Sequence, residues 1–580
     1  DEAQARDLAS QSAALRFLGA IDAPLSATLD TALDPQGMLG PLDVTLKIGA
    51  GALQPAPGTV PLRFEGVTAA LSYDPAGQEL TFDDVAVVSD WGRLHASGQA
   101  LARDFSRGLP EALVGQFTLS QIALTPDDLY PAPVTIDQAD IDLRLRLDPF
   151  RLDVGQVTIS DPNLRLGVAG HLNATPQGWD AALDITSPAL QTEDVLRLWP
   201  ARLRPGTRKW FADNLLAGGI SDLTAGWRMQ PGQKARVAAG FAYADASVRF
   251  LREEPPITDG AGFATLSDNA FVLRLDRGQV TAPQGGAIDV AGSILQIPDI
   301  TIKNAPLKLN IATSGSITAT LAVLDQPPFR YLSKANLPVT LADGRAAVMA
   351  QVELPLQRKI GPDDVTFDAS AILTRVRSDT LVKGRTLAGS DLAVAVDRGG
   401  LRITGDATLD GVPVRGDFTQ TFGPGAAPTQ VAGRVTITPD ALDRFGIALP
   451  PGSVTGSGPG QLTVTLPKGE SPRFALTSTL EGLGLSVPAI GWSKARGTPG
   501  TLEVSGVLGA RPSVDSLKLK APGLQAAGTV SLTDAGQLDA ATFSDVSVGT
   551  WFNGPVTLRG RGQGRTVGVE VRGGTLDLAK

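Results

Sequence analysis

The chain holds few residues whose types or spacing could do chemistry. There are two histidines, His95 and His171, far apart in sequence, and no cysteine. That removes thiolate metal sites, disulfides and cysteine nucleophiles, and leaves little imidazole for acid–base work. Each histidine lies in or beside a strand with a recurrent glycine, so a solvent-facing or hydrogen-bonded ring is expected. No G-x-S-x-G elbow, no G-x-x-x-x-G-K-S/T loop, no H-E-x-x-H pair and no G-x-G-x-x-G fingerprint occurs. Gly456–Gly460 and Gly560–Gly564 are G-x-G-x-G stretches without a phosphate-binding context and read as loops. Asp83-Asp84 and Asp127-Asp128 have acidic side chains for calcium but lack the patterned loop that binds it, so turn formation is expected. Arg202, Arg204, Arg208 and Lys209 read as a solvated helix face, with lipid head groups as the other reading. The expectation is a protein that is not an enzyme, with no cofactor and no metal.

The elements that would position any site are strands. Leu42, Val44, Leu46 and Ile48 alternate with polar residues, as do Ile141, Leu143, Leu145 and Leu147. Phe271/Leu273/Leu275, Leu307/Leu309/Ile311, Leu462/Val464/Leu466 and Val567/Val569/Val571 repeat the pattern, each run bounded by turn residues. Such alternation predicts antiparallel strands with one apolar and one wet face. Helices are expected at Asp7–Leu18 (Leu8, Leu15 and Leu18 on one face), from an N-cap at Thr192 to Leu198, from Pro205 past Trp210 and Phe211 towards Gly218-Gly219, and from an N-cap at Thr438 through Pro439-Asp440 to about Phe445.

The 580 residues are 42% apolar, 19% charged and 5% aromatic, with 65 glycines and 42 prolines. That composition suits several folded domains and excludes collagen, coiled coil and disorder. The net charge of −9 argues against a nucleic-acid binder. No run resembles a membrane span, since Ile447–Pro467 is broken by Gly, Pro and Ser. The chain starts at Asp1 without a signal peptide's regions, so it is read as a mature chain or an excised piece, any membrane anchor lying outside it.

A strand-then-glycine unit recurs at Gly98, Gly170, Gly292, Gly405, Gly416, Gly506 and Gly528, with a weaker copy at Gly433. In each copy the glycine shares its face with the apolar residues two before and two after. Bends repeated on one face would curl a sheet around that face. A bulge in an ordinary sandwich is the competing reading. The few helices cannot cover the apolar face of about 40 strands, estimated at about 14 residues per strand with its turn. Two sheets must cover each other, or one curled sheet must leave a groove. The expected fold is mainly β: a long, twisted, curled antiparallel sheet with an open groove and a few short helices. Leu143, Leu145, Leu166, Val168, Ile288, Val290, Leu401, Ile403, Leu502 and Val504 are expected to line it, with Arg144, Arg146, Asp289, Arg402 and Glu503 outward. The expected segments are 1–190, a short helical connector at 191–230, 231–430 and 431–580.

Leu198-Trp199-Pro200, Arg208-Lys209-Trp210 and Asn214-Leu215-Leu216-Ala217-Gly218-Gly219-Ile220-Ser221-Asp222 together resemble the central segment of the YhdP branch of the AsmA-like superfamily. Val248-Arg249-Phe250-Leu251 with Pro255-Pro256, Asp325-Gln326-Pro327-Pro328, and Gly344-Arg345-Ala346 leading to Leu354-Pro355-Leu356 extend the resemblance over about residues 190–420. It implies a bridge-like lipid transfer protein of the Gram-negative envelope, working in the periplasm. The implied partners are phospholipid acyl chains and the inner and outer membranes, the inner one through an anchor outside this chain. The resemblance assigns no lipid-binding residues. The alternative is a structural or adhesive β-repeat protein with fully paired sheets and no ligand.

Overall fold

The computed structural model describes residues 3–11, 13–33, 39–106, 109–125, 130, 133–161, 164–201, 204–251, 253–327, 329–357, 359–447, 449–509, 512–533, 537–562 and 565–577. Among these, strand accounts for 65% and helix for 9% of the chain. One antiparallel sheet contains 35 strands, and a separate small sheet contains three. Strands pair almost throughout with their sequence neighbours, the arrangement that short turns between alternating runs dictate.

The chain divides into two compact units. The first comprises residues 1–280, 290–309 and 354–360, and the second 281–289, 310–353 and 361–580. In the first, Pro24–Leu33 begins a meander that runs through Gly92–Ser106, Val134–Leu147 and Leu215–Met229 to Ile294–Ile297. In the second, Asp343–Pro355 begins a meander that ends at Gly568–Val571. Alternation in sequence becomes alternation in burial. Within Asp343–Pro355, Ala346, Val348, Ala350 and Val352 are buried or half-buried while Arg345, Met349, Gln351 and Glu353 are exposed.

The expected helices form, with shifted ends. The first stretch is an α-helix, Ala5–Gln11, followed by a 3-10 helix, Ala13–Ala20. Leu8 and Leu18 pack there with Ala5, Ala23, Leu25 and Ile48, closing the start of the first unit. The side chain of Leu15 lies outside the described residues. The next helix is Thr192–Leu198, with Gln191 rather than Thr192 at its N-cap. The Thr192 hydroxyl instead donates to the Gly218 carbonyl at 2.7 Å, tying the helix to a later strand. Pro205–Asn214 follows, with proline in its first turn. It gives way to a strand at Leu215, before the glycine pair that was expected to stop it. Thr438 caps Pro439–Arg444 as expected, accepting from the Ala441 amide at 3.1 Å.

One helix reads as a strand in sequence. Ile317–Leu324, Ile-Thr-Ala-Thr-Leu-Ala-Val-Leu, begins with β-branched residues in near alternation, yet it is helical, capped by Ser316 Oγ at 3.0 Å from the Ala319 amide. Packing overrides the local preference.

Six of the seven recurrent glycines lie inside strands, and each has a physical reason. A β-carbon added at Gly98, Gly170, Gly405, Gly416, Gly506 or Gly528 would come within 2.8 Å of a neighbouring strand's carbonyl oxygen, and at Gly506 within 1.9 Å of Ser513 O. Gly292 differs: it sits in a turn after Ala287–Asp289 at φ +88°, so it is a turn glycine rather than a strand glycine. Gly98, Gly170, Gly405, Gly506 and Gly528 each sit at a shift in pairing register, and other residues mark further shifts. Asp222, Asp245 and Asp259 each adopt φ +53° at a shift in pairing on three successive strands. A short polar side chain tolerates that left-handed conformation.

Candidate functional site

Following Cα partners from strand to strand shows which side chains share a face, because directly opposed residues in an antiparallel pair project to the same side. In the first unit, Val44, Leu71, Phe82, Gly98, Phe117, Ile141, Val157, Val168, Ile185, Ala225, Ala239, Leu266, Phe271 and Ile297 are successive partners across fourteen strands. A second row beside it runs Leu42, Tyr73, Leu80, Ala100, Gly115, Leu143, Val154, Gly170, Leu183, Trp227 and Val237. Neither row contains a charged residue.

The second unit repeats the arrangement. One row passes through Val348, Ala371, Val394, Ile403, Phe418, Val431, Val464, Phe474, Gly506, Val514, Val530, Ala541, Leu558 and Val569. Its neighbour passes through Ala346, Leu373, Leu392, Gly405, Gly416, Gly433, Leu462, Leu476, Val504, Leu517, Gly528, Phe543, Val556 and Val571. Gly405, Gly416 and Gly433 are directly opposed on three consecutive strands, a smooth strip in an otherwise branched surface.

Burial separates these rows from an ordinary core. Every member of the fourteen-residue row in the first unit is half-buried. The largest fully buried side chains are Leu164, Leu480 and Leu483, and none of them belongs to a row. A face covered by a second sheet would be buried throughout. Phe82 and Phe117 meet at 5.3 Å between ring centroids within the row.

Of the ten expected lining residues, Leu143, Val168, Ile403 and Val504 are members of the four rows. Leu145, Leu166, Leu401 and Leu502 sit two residues away from them on the same strands and are half-buried. Ile288 and Val290 stand apart: they are 5% and 7% exposed. Ile288 contacts the position a Gly315 side chain would fill, and Val290 that of Gly278. They are core residues rather than surface. The six strand glycines all fall in the rows. Asp289, Arg146, Arg402 and Glu503 are exposed. Arg144 is half-buried and, with Arg146, pairs with Asp104. The hydrogen bond from the Arg144 guanidinium holds the Asp104 carboxyl below the usual range.

The remaining polar candidates are structural. His95 Nδ1 lies 2.9 Å from Asp84 Oδ1 and His171 Nε2 lies 3.8 Å from Asp180 Oδ2. Arg208 donates to the Trp199 and Leu196 carbonyls at 3.1 and 3.0 Å, binding one helix to the other, and Lys209 pairs with Asp213 at 2.8 Å. Arg202 and Asp127-Asp128 lie outside the described residues, as do Pro328 and Gly564. Among the described residues no cluster of three or more His, Asp or Glu could hold a metal. A cavity of about 710 Å³ lies against Arg375, Asp406, Arg415 and Arg434. Asp406, Arg415 and Arg434 each neighbour a row glycine in sequence, so they project from the opposite face.

Two buried ionisable groups carry no sequence signal. Glu254, just before Pro255-Pro256, is 5% exposed and neither carboxyl oxygen has a hydrogen-bond partner. Burial pushes its carboxyl up to about 7. Lys494, in the small sheet, is 4% exposed. Its ammonium donates to the Leu480, Leu483 and Ala495 carbonyls at 2.8, 2.9 and 3.2 Å.

No described helix is long and apolar enough to cross a membrane. A family model described as YhdP protein matches residues 7–559. No curated protein and no solved structure matches the chain. The chain therefore belongs to the YhdP family, the AsmA-like branch associated with the cell envelope.

Proposed function

We propose that this member of the YhdP family carries phospholipid between the inner and outer membranes, its acyl chains lying along the apolar rows of the sheet. The reading rests on one observation: continuous rows of uncharged, mostly half-buried residues cross strand after strand in each unit. Half-buried side chains next to one another present a strip that water wets poorly, and hydrocarbon relieves that cost at about 25 cal/mol per Å² of apolar area covered. The rows carry no charged group that would select one head group, so hydrocarbon is the feature recognised. Periplasmic placement, with an inner-membrane anchor beyond this chain, completes the proposal. A structural β-repeat protein is not favoured, because paired sheets would bury these rows.

The test is site-directed photocrosslinking in the purified chain mixed with phosphatidylethanolamine vesicles. A photoreactive residue at Val168 or Ile403 should capture lipid, and one at Arg402 on the other face should not. Equal capture at Ile403 and Arg402 would sink the assignment.

A further inference from the structure

The rows of the second unit are not uniformly open. Helix Ile317–Leu324 lies on them. Ile317, 5% exposed, packs with Ala342, Ala346 and Val376, and Leu321, Val348, Leu373 and Leu392 close around that cluster. Ala346, Leu373 and Leu392 are consecutive members of one row, and Val348 belongs to the other. The helix thus lies, over three strands, against the surface that continues further along. Its own apolar side chains stand where hydrocarbon would lie.

We infer that Ile317–Leu324 is a displaceable plug across this apolar surface, one that lipid must lift to pass. The inference rests on the lipid-carrying reading and adds a control point to it.

Three features separate a plug from a fixed part of the core. The contact surface is small: apart from Ile317, the buried residues of the helix are Ala319 and Ala322. Small side chains leave less hydrophobic area to lose on lifting. The helix is latched at both ends by polar contacts. At its start, Ser316 Oγ accepts from the Ala319 amide at 3.0 Å and donates to Gly285 O at 2.8 Å. At its end, the Asp325 carboxylate accepts from the Ser333 amide at 2.7 Å and from the Ser333 hydroxyl. These latches sit at the surface, where water replaces them cheaply. Glycines flank the first latch: Gly285 and Gly286 have φ +85° and +93°. A β-carbon at Gly285 would come within 2.3 Å of the Ala319 nitrogen, so the seated helix requires glycine there. The Asp325-Gln326-Pro327 sequence thereby acquires a role, since its aspartate closes the far latch.

The experiment uses the full chain grown with photo-leucine, a diazirine analogue of leucine's size, and vesicles of phosphatidylethanolamine and phosphatidylglycerol. Lipid adducts are mapped by peptide mass spectrometry at Leu373 and Leu392, beneath the helix, and at Leu462 and Leu476, further along the same row. Ile317→Cys with Val376→Cys provides a staple in a chain that has no other cysteine. Ser316→Ala with Asp325→Ala loosens both latches. Adducts at Leu462 and Leu476 should appear in every form. Adducts at Leu373 and Leu392 should fall at least tenfold when the staple is oxidised and return on reduction. They should rise at least fivefold in the loosened variant, the population change expected from the lost cap alone. Equal adducts in oxidised and reduced staples overturn the plug, as does their absence at Leu373 and Leu392 in all forms, which would mean a permanently seated helix. Absence of adducts at Leu462 and Leu476 in all forms would instead overturn the lipid-carrying reading. Thermal melting of each form establishes that the sheet is intact.

Discussion

Replacing Glu254 with glutamine should stabilise its surroundings at neutral and alkaline pH and leave them nearly unchanged in acid. The carboxyl is 5% exposed, has no hydrogen-bond partner, and titrates near 7 instead of 4.5. A carboxyl whose folded pKa is raised binds its proton more tightly in the folded state. Its contribution is therefore whole below about pH 4.5 and is lost as pH rises through 7. A shift of that size corresponds to about 3 kcal/mol at most. Because unfolding of a long multi-unit chain is not two-state, the assay is hydrogen exchange of the adjoining strand Ile257–Ser267 between pH 5 and 8. After correction for intrinsic exchange, local opening in the native chain should increase by up to about a hundredfold across that range. In Glu254→Gln it should stay flat. Identical pH profiles for the two proteins would refute a buried, unpaired carboxyl.

Ile403→Asp should leave thermal stability within about 2 kcal/mol of the native chain, since a half-buried side chain gives up only part of its transfer energy. Lipid photocapture at neighbouring row positions should fall sharply, because a carboxylate against hydrocarbon must be desolvated, and a loss exceeding 4 kcal/mol would mean that the row is a closed core. Lys494→Met should destabilise the small sheet Val454–Gly456, Leu483–Val487 and Trp492–Lys494 by about 3 kcal/mol, because three carbonyls lose a charged donor; unchanged exchange protection at Leu483–Val487 would contradict this. Gly506→Ala should lower the melting temperature or prevent folding, given the 1.9 Å approach of Ser513 O to any β-carbon there, and a variant that melts like the native chain would show that the strands can spread.

The strand content, the antiparallel pairing and the uncharged face were legible in sequence, because each follows from a two-residue period that neighbouring residues impose on one another. Leu143, Val168, Ile403 and Val504, and six of the recurrent glycines, are row members by that same period. Gly292 looked the same by spacing, but spacing cannot distinguish a strand from a turn, and φ +88° is a property of the folded backbone. Ile288 and Val290 obey the same alternation as Ile403, yet both are almost fully buried, which alternation alone does not reveal. The helix at Ile317–Leu324 has a strand-like start locally and became a helix through its cap and the apolar cluster beneath it. Glu254 and Lys494 are ordinary surface residues by type. Only tertiary structure could bury one without a partner and surround the other with carbonyls, because burial depends on long-range neighbours. Sequence alone therefore determined which side chains share a face. Tertiary structure decided which parts of that face are open, which are core, and which are covered by a helix, since covering is a contact between segments far apart in the chain.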